Sequence, residues 1–410
     1  MSPSIDIDFG KIPEGGNHWL EGLDKIRETQ PIFWSDIQDG WLVTRHEDVS
    51  AAFQGRLPLS NYRLQDFMFS GLPREQWATA IPTLSKFVLM WIVNIDAPDH
   101  PRLRRLLTKA FSKKVVEATR PIAQKTIEKM LDYAAERGEV EFCEEIARII
   151  PSRTLFHLLG VPEQFLANLA KWSVDLNTAT SWPNAPLHVL QGADRVLSEM
   201  RDLFVMLIEE RRRQPGEDLL SAMINAVDEG NQLSEDEMVG ICQVLLVAGQ
   251  DTASNSLTLG VDALAKWPQQ RQWMVEHPDK IDNATLELSR YIAMSGGQTR
   301  VASQDFEWHD AKIRKGQIIF LMIAAANRDP RVFENPQVLD FSRKNIDRVV
   351  TFGPGLHHCV GHLLARMQIN EFNLRAYTRF REIEPLDTHV EFNHGFAFRS
   401  PKQLRVRFHS

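Results

Sequence analysis

Apolar residues recur at three- and four-residue spacing along much of the chain, and that period predicts helices. Arg102–Phe111, Pro121–Arg137, Leu197–Arg213 and Gly361–Arg379 each read as an amphipathic helix with one face to bury. Strand-like pieces are short: Trp41–Thr44, Val301–Ala302, Ile318–Leu321 and Leu404–Phe408. No internal repeat or low-complexity linker interrupts the pattern. The turn-rich spots Pro215–Asp218 and Trp182–Pro186 read as surface loops, not domain boundaries. The expectation is a mainly α protein: one large helical body with a minor β-rich region, in a single domain spanning residues 1–410.

The best-marked helix follows Ser234. Ser234 and Glu237 stand at capping-box spacing, Asp236 adds negative charge to the first turn, and Pro268 marks the far end. About 32 residues lie between, or roughly 48 Å of helix. Its middle, Ile241–Gly249, is almost wholly apolar, which predicts burial on all sides. Gly249, Gln250, Asp251 and Thr252 break the pattern at the centre, since Gly and Thr are weak helix formers and a buried Asp needs a partner. A tolerated glycine with a Thr hydroxyl bonded one turn back would account for it. So would a functional site.

Composition narrows the function. The chain has 410 residues, 43% hydrophobic and 25% charged, with a net charge of −7. A mildly acidic chain is a poor match for nucleic acid, which is bound chiefly through Lys and Arg. The longest apolar stretch, Ile318–Ala326, is far short of the ~20 residues a membrane-spanning helix needs. The first residues lack the positive and apolar regions of a signal peptide, so the expected location is cytoplasmic. Three dispersed cysteines, Cys143, Cys242 and Cys359, make neither a disulfide framework nor a structural zinc site, so any that acts does so alone.

One of them has an unusual setting. Phe352-Gly353-Pro354-Gly355-Leu356-His357-His358-Cys359-Val360-Gly361 combines a tight glycine–proline loop with a cysteine just before an apolar helix. A thiolate there is favoured by the helix dipole and by unpaired backbone N–H groups. An inert cysteine in a helix-initiating turn would have the same neighbours.

The frame decides between them. The run resembles F-G-x-G-x-H-x-C-x-G, the haem-ligand loop of the cytochromes P450, at all six fixed positions. Other segments resemble that family in its own order. Asp96–Arg104 is similar to the start of its C helix, and Ala248-Gly249-Gln250-Asp251-Thr252 to the A-G-x-D-T segment of its long I helix. Glu287-Leu288-Ser289-Arg290 has the E-x-x-R spacing, Ala326-Asn327-Arg328-Asp329-Pro330 matches A-N-R-D-P, and Leu339–Arg343 resembles F-D-x-x-R. The resemblance implies the cytochrome P450 fold and haem b bound by the Cys359 thiolate. It also implies a buried cluster of Glu287, Arg290 and Arg343. By the same resemblance His100, Arg104, Arg300 and His357 take the haem propionates, and Phe352 and Gly353 belong to the cofactor-binding loop.

The activity implied is monooxygenation, in which one atom of O2 enters a C–H bond and the other leaves as water. Thr252 then donates a hydrogen bond to bound oxygen, Asp251 carries protons through water, and Gly249 with Thr252 lets the helix open locally. Electrons come from an external 2Fe–2S or similar ferredoxin with a flavin NAD(P)H reductase. The basic run Arg102, Arg105, Lys109, Lys113 and Lys114, joined by Arg366, is its expected docking face on a monomeric enzyme. Two alternatives use the same fold: a peroxide-driven haem-thiolate enzyme, and a non-catalytic carrier of apolar ligands.

Substrate contacts are expected from Tyr62–Trp91, Trp172–Trp182, Leu245–Thr252, Ala293–Thr299 and Phe396–Phe398, which are aromatic and aliphatic and imply a compact apolar substrate. A likeness of Leu339–Arg343 and Asp251–Thr252 to camphor-hydroxylating members orders the classes as terpenoid-like, small aromatic, then steroid. Two departures stand out. Ala293-Met294-Ser295-Gly296-Gly297 replaces a common Ser-Pro-Val and is expected to widen the pocket or loosen its loop, and Val349 replaces a common His.

Overall fold

In the computed structural model of the chain the described residues are 6–9, 18–61, 69–168, 172, 175, 176, 179, 185–393 and 397–409. They form two compact units. The first holds Met1–Ser60, Gln124–Ile150 and Thr252–Ser410; the second holds Asn61–Ala123 and Pro151–Asp251. The chain passes between them after Ser60 and again inside the helices Arg120–Arg137, Ile149–Leu159 and Glu235–Lys266. Helix dominates, as the sequence period predicts.

Every described strand belongs to the first unit. The strands β1 (Ile32–Ser35) and β2 (Gly40–Val43) form a hairpin, and β3 (Leu59–Ser60), β5 (Gln298–Ala302) and β8 (Ile318–Leu321) complete a sheet of order β1-β2-β8-β5-β3. Its one parallel pairing joins β2 to β8, with Trp41 opposite Ile319. Alternate side chains feed two cores: Val43, Ile319 and Leu321 enter one, while Leu42 and Phe320 enter the other. Burial on both faces explains why these strands read as continuous apolar runs. A second sheet joins β4 (Glu139–Glu141), β9 (Glu382–Pro385) and β10 (Arg405–His409), and β6 (Phe306–Trp308) pairs with β7 (Ala311–Ile313). A third core packs Leu257, Val261 and Leu264 with Leu288, Phe372 and Ala376.

The second unit is helical. Leu187–Arg213 starts well before the expected Leu197, because Pro186 opens it without a side-chain cap to signal the start. It buries Leu190, Leu197, Phe204 and Leu207. The Gln243 side chain donates to the Leu197 carbonyl (3.0 Å), tying this helix to the long one. Asp218 caps Leu219–Asn225 through the Ser221 N–H (2.8 Å).

The long helix runs Glu235–Lys266, matching its predicted ends. Ser234 and Glu237 cap it reciprocally: the Ser234 N–H donates to Glu237 Oε2 (2.8 Å) and the Glu237 N–H to Ser234 Oγ (3.3 Å). Burial on all sides, however, is not what the structure has. Leu245, Gly249 and Thr252 are half-buried and Ala248 is exposed. These positions share one face at three- and four-residue spacing.

Candidate active site

The cysteine loop is shaped by backbone hydrogen bonds. After the buried Val350, the Gly353 N–H donates to the Val350 carbonyl (3.0 Å), His358 to Gly355 (3.0 Å) and Cys359 to Phe352 (2.8 Å). Gly353 and Gly355 adopt φ of +67° and +106°, which side chains rarely tolerate. Gly355 has a second reason to lack a side chain. A Cβ there would collide with the Phe53 carbonyl oxygen and come within 2.8 Å of Gln54 Cα. The C-terminal end of the helix His46–Phe53 therefore packs directly on the loop. Helix His362–Arg379 starts just beyond it, with Gly361 as N-cap, and the His362 ring Nδ1 donates to the Cys359 carbonyl (2.9 Å).

The three cysteines differ in kind. Cys143 and Cys242 are buried and Cys359 is half-buried. Burial, reinforced by Glu141, pushes the Cys143 thiol up to about 12, and burial raises the Cys242 thiol still further from use. Only Cys359 combines access with a helix start, so the residues present fit a thiolate-bound haem.

Behind the loop lies the expected charged network. Arg290 makes a bidentate pair with Glu287 (2.7 and 2.8 Å), and Arg343 reaches the same carboxylate at 3.1 Å. Glu287 and Arg290 are fully buried, and Asp340 N–H also donates to Glu287 (3.0 Å). Remaining guanidinium hydrogens go to backbone carbonyls, including Asn327 (3.0 Å) and Pro336 (2.8 Å) from Arg290, and Glu334 (2.8 Å) from Arg343. A buried charge so completely bonded is stable to keep and costly to break.

Asn327 links this network to the loop, a role that sequence reasoning missed. Its Oδ1 accepts from the Val350 N–H (2.9 Å), its Nδ2 donates to Thr351 Oγ1 (2.9 Å), and its carbonyl takes Arg290. The motif Ala326–Pro330 was the available signal, but its contact with the loop is not a sequence property. Two residues on, Asp329 accepts from the His46 N–H (3.0 Å) and from Arg331. Burial works against its ionisation, but these bonds outweigh burial and hold its carboxyl below the usual range.

The other candidates fall as follows. In the first unit, Arg300 lies on β5 with its guanidinium 5.3 Å from the Phe53 ring centre, and His357 is half-buried in the loop. The Phe352 ring meets His362 edge-on at 6.2 Å. Thr252 is half-buried, and its carbonyl accepts from Ser256 Oγ (2.8 Å). In the second unit, His100 is buried on the helix Asp99–Ala110 with Arg104 one turn on. Burial first, and the Arg104 charge second, lower its pKa and keep the imidazole neutral. A Cβ on Gly249 would sit 3.1 Å from Leu155, so the glycine allows close packing. Asp251 is half-buried. The helix Glu235–Lys266 is continuous through Gly249, Asp251 and Thr252.

Two further expectations meet local structure, and a third lies largely outside the described residues. Much of the basic run is neutralised by the chain's own carboxylates: Arg102 pairs with Glu237, and Arg105 and Lys109 with Asp228 (2.6 Å each). Arg366 pairs with Asp282 (3.0 Å). The segment around Gly296 is pinned, not loosened: the Gly296 N–H donates to Ala397, its carbonyl accepts from Ala324, and the Met294 carbonyl accepts from Arg399. Residues 62–68, Phe396 and most of Trp172–Trp182 lie outside the described residues.

A loop that holds one accessible cysteine at a helix start, braced by a buried charge network, fits the thiolate ligand of a haem protein. Comparison with known proteins makes this specific. The family model described as Cytochrome P450 matches residues 173–284 and 281–404. The chain is 30% identical to cytochrome P450 CYP107DY1 of Priestia megaterium, over 98% of this chain and 99% of that one. It is 32% identical to 6-deoxyerythronolide B hydroxylase of Saccharopolyspora erythraea, over 87% of each. The crystal structure of P450BioI in complex with hexadec-9Z-enoic acid ligated acyl carrier protein superposes with a TM-score of 0.86 at 27% identity, covering 98% of this chain and 99% of that one. The chain belongs to the cytochrome P450 family. It is an oxidoreductase, its cofactor is haem with an axial cysteine thiolate, and bacterial members draw electrons from ferredoxin and reductase partners. Among the described residues no helix is long and apolar enough to cross a membrane.

Proposed function

We propose that this chain is a cytoplasmic, ferredoxin-dependent monooxygenase whose haem is held by Cys359. The observation that carries this is the contrast among the cysteines: two are buried with raised pKa values, and one is half-exposed in a clamped loop at a helix start. Haem supplies O2 activation when bound, and the thiolate's electron push favours O–O cleavage. The chain's own groups do the rest. His357 and Arg300 neutralise propionate charge from the first unit, and His100 and Arg104 are assigned the same role by family resemblance. His100 would donate a hydrogen bond there, and Arg104 would supply a positive charge. Phe352 and Gly353 hold the loop's shape. With the haem in place, the Thr252 hydroxyl would serve as a hydrogen-bond donor in the pocket, Asp251 would carry protons through water, and Gly249 would keep that stretch of helix free of bulk.

The substrate is apolar. The order drawn from sequence likeness, terpenoid-like before small aromatic before steroid, is widened by the relatives, whose names add 6-deoxyerythronolide B and hexadec-9Z-enoic acid to the molecules worth testing. A panel of these classes scored by the low- to high-spin shift of the haem ranks them.

Turnover under three conditions tests the reading. A ferredoxin–reductase system with NADPH should support product formation well above that with peroxide alone. Turnover with peroxide only identifies the peroxide-driven enzyme, and spin-shift binding with no turnover identifies the carrier.

A further inference from the structure

Ser295 stands at the valine of the Ser-Pro-Val common in the family, so a hydroxyl replaces a branched apolar side chain. That hydroxyl is buried: Ser295 is 3% exposed, and among the described residues its Oγ meets no hydrogen-bond partner. Folded proteins rarely leave a buried hydroxyl unmet. The backbone that carries it is fixed. Ser295 and Phe398 form an antiparallel bridge, flanked by the bonds from the Gly296 N–H to the Ala397 carbonyl (3.0 Å) and from the Arg399 N–H to the Met294 carbonyl (2.8 Å). The bridge residues exchange no N–H or carbonyl of their own, and that arrangement brings two side chains closest on one face of a ladder.

The two faces of this ladder differ. Met294 enters the core that holds Leu257 and Leu288, and Arg399 lies over the Phe392 ring at 4.4 Å and donates to the Ile292 carbonyl (2.8 Å). Alternation therefore turns Ser295 and Phe398 to the opposite face. Phe398 is 39% exposed there, an open ring beside an unmet hydroxyl. The same segment is tied to the long helix close to Thr252. Asn255 Nδ2 donates to Ser400 Oγ (2.7 Å), and Asn255 lies three residues past Thr252, about 4.5 Å along the helix axis. Arg399, the guanidinium next to Phe398 in the chain, is turned the other way, so this face suits a neutral oxygen and not a carboxylate.

We propose that Ser295 is a specificity-determining residue: its hydroxyl donates to a neutral oxygen, a carbonyl or hydroxyl, on an apolar substrate whose skeleton lies against Phe398. This rests on the monooxygenase reading above and narrows its substrates from apolar molecules to apolar molecules that carry such an oxygen. The test titrates the full holoenzyme with matched pairs that differ only by a carbonyl oxygen: camphor and bornane, cyclododecanone and cyclododecane, androstanone and androstane. Kd is read from the low- to high-spin shift of the haem. In the wild type at least one ketone should bind about ten-fold tighter than its hydrocarbon, since a site built for a hydrogen bond rejects the analogue that lacks it. Ser295→Ala should bring that ratio within about two-fold and leave the hydrocarbon's Kd unchanged, whereas Phe398→Ala should weaken both members of a pair alike. A thiolate band in the reduced CO spectrum of each variant shows that its haem site is intact. Equal Kd values for ketone and hydrocarbon in every pair that shifts the wild-type spin state, or a ketone preference that survives Ser295→Ala, overturn the proposal. No spin shift with any of these compounds overturns the apolar-substrate reading and the proposal with it, and a missing thiolate band in the wild type overturns the haem-thiolate reading beneath both.

Discussion

The link between the buried charge network and the cysteine loop runs through one side chain, Asn327, and Asn327→Ala removes it. Asn327 and Val350 are each 1% exposed, so the Val350 N–H loses its Oδ1 acceptor with no water to replace it. An orphaned buried donor costs about 1–3 kcal/mol, and the Thr351 bond adds roughly 0.5–1.5 kcal/mol. Thr351 keeps partial compensation from the Ser289 carbonyl at 3.4 Å. The net expectation is a loss of about 2–4 kcal/mol. With an unfolding entropy near 2 cal/mol/K per residue, that lowers the Tm by about 2–5 °C. The spectroscopic effect should exceed the thermal one. Val350 and Thr351 are the last anchors before Phe352, so the loop loosens and part of the reduced CO complex loses its thiolate Soret position. Asn327→Asp keeps the acceptor for Val350 and should retain most of the thiolate band. Asn327→Ala with wild-type Tm and a full thiolate band would refute the coupling.

Gly355→Ala meets both a left-handed φ and the Phe53–Gln54 backbone. The φ alone costs roughly 1–3 kcal/mol, so haem content after purification should fall sharply, and a wild-type haem content would contradict the packing argument. Asp329, whose carboxyl is held below its usual range, contributes stability that is present above the unfolded carboxylate value near pH ~4 and lost as pH falls through the depressed one. Asp329→Asn should therefore be less stable at pH 7 yet flatter in acid denaturation, and parallel acid curves for the two proteins would contradict the assignment. Thr252→Ala should keep haem and ligand binding while diverting NADPH electrons to peroxide; full coupling of NADPH to product would remove Thr252 from proton delivery.

The sequence carried the long-range plan and missed local geometry. The long helix was legible because Ser234, Glu237 and Pro268 are local signals, and the structure has both ends where they put them. The Glu287–Arg290–Arg343 cluster was legible only as a resemblance, since an i,i+3 pair on its own reads as surface. The short strands β1, β3, β4, β6, β7 and β9 were not legible, because each has two to four residues and is paired with partners chosen by tertiary contact. The same reason hid Asn327 and Phe53, whose roles exist only once distant backbone is brought against them. The pairing within the basic run was hidden for a related cause: charge along one helix says nothing about a carboxylate more than a hundred residues away, as with Arg105 and Asp228.

The central claim, haem ligation by Cys359, has a direct measurement. The purified protein is reduced with dithionite, CO is added, and the difference spectrum is recorded for wild type, Cys143→Ala, Cys242→Ala and Cys359→His. The account predicts a strongly red-shifted Soret band in the first three and its loss in Cys359→His with haem retained. The same red-shifted band in Cys359→His, or a wild type that binds no haem, would contradict it.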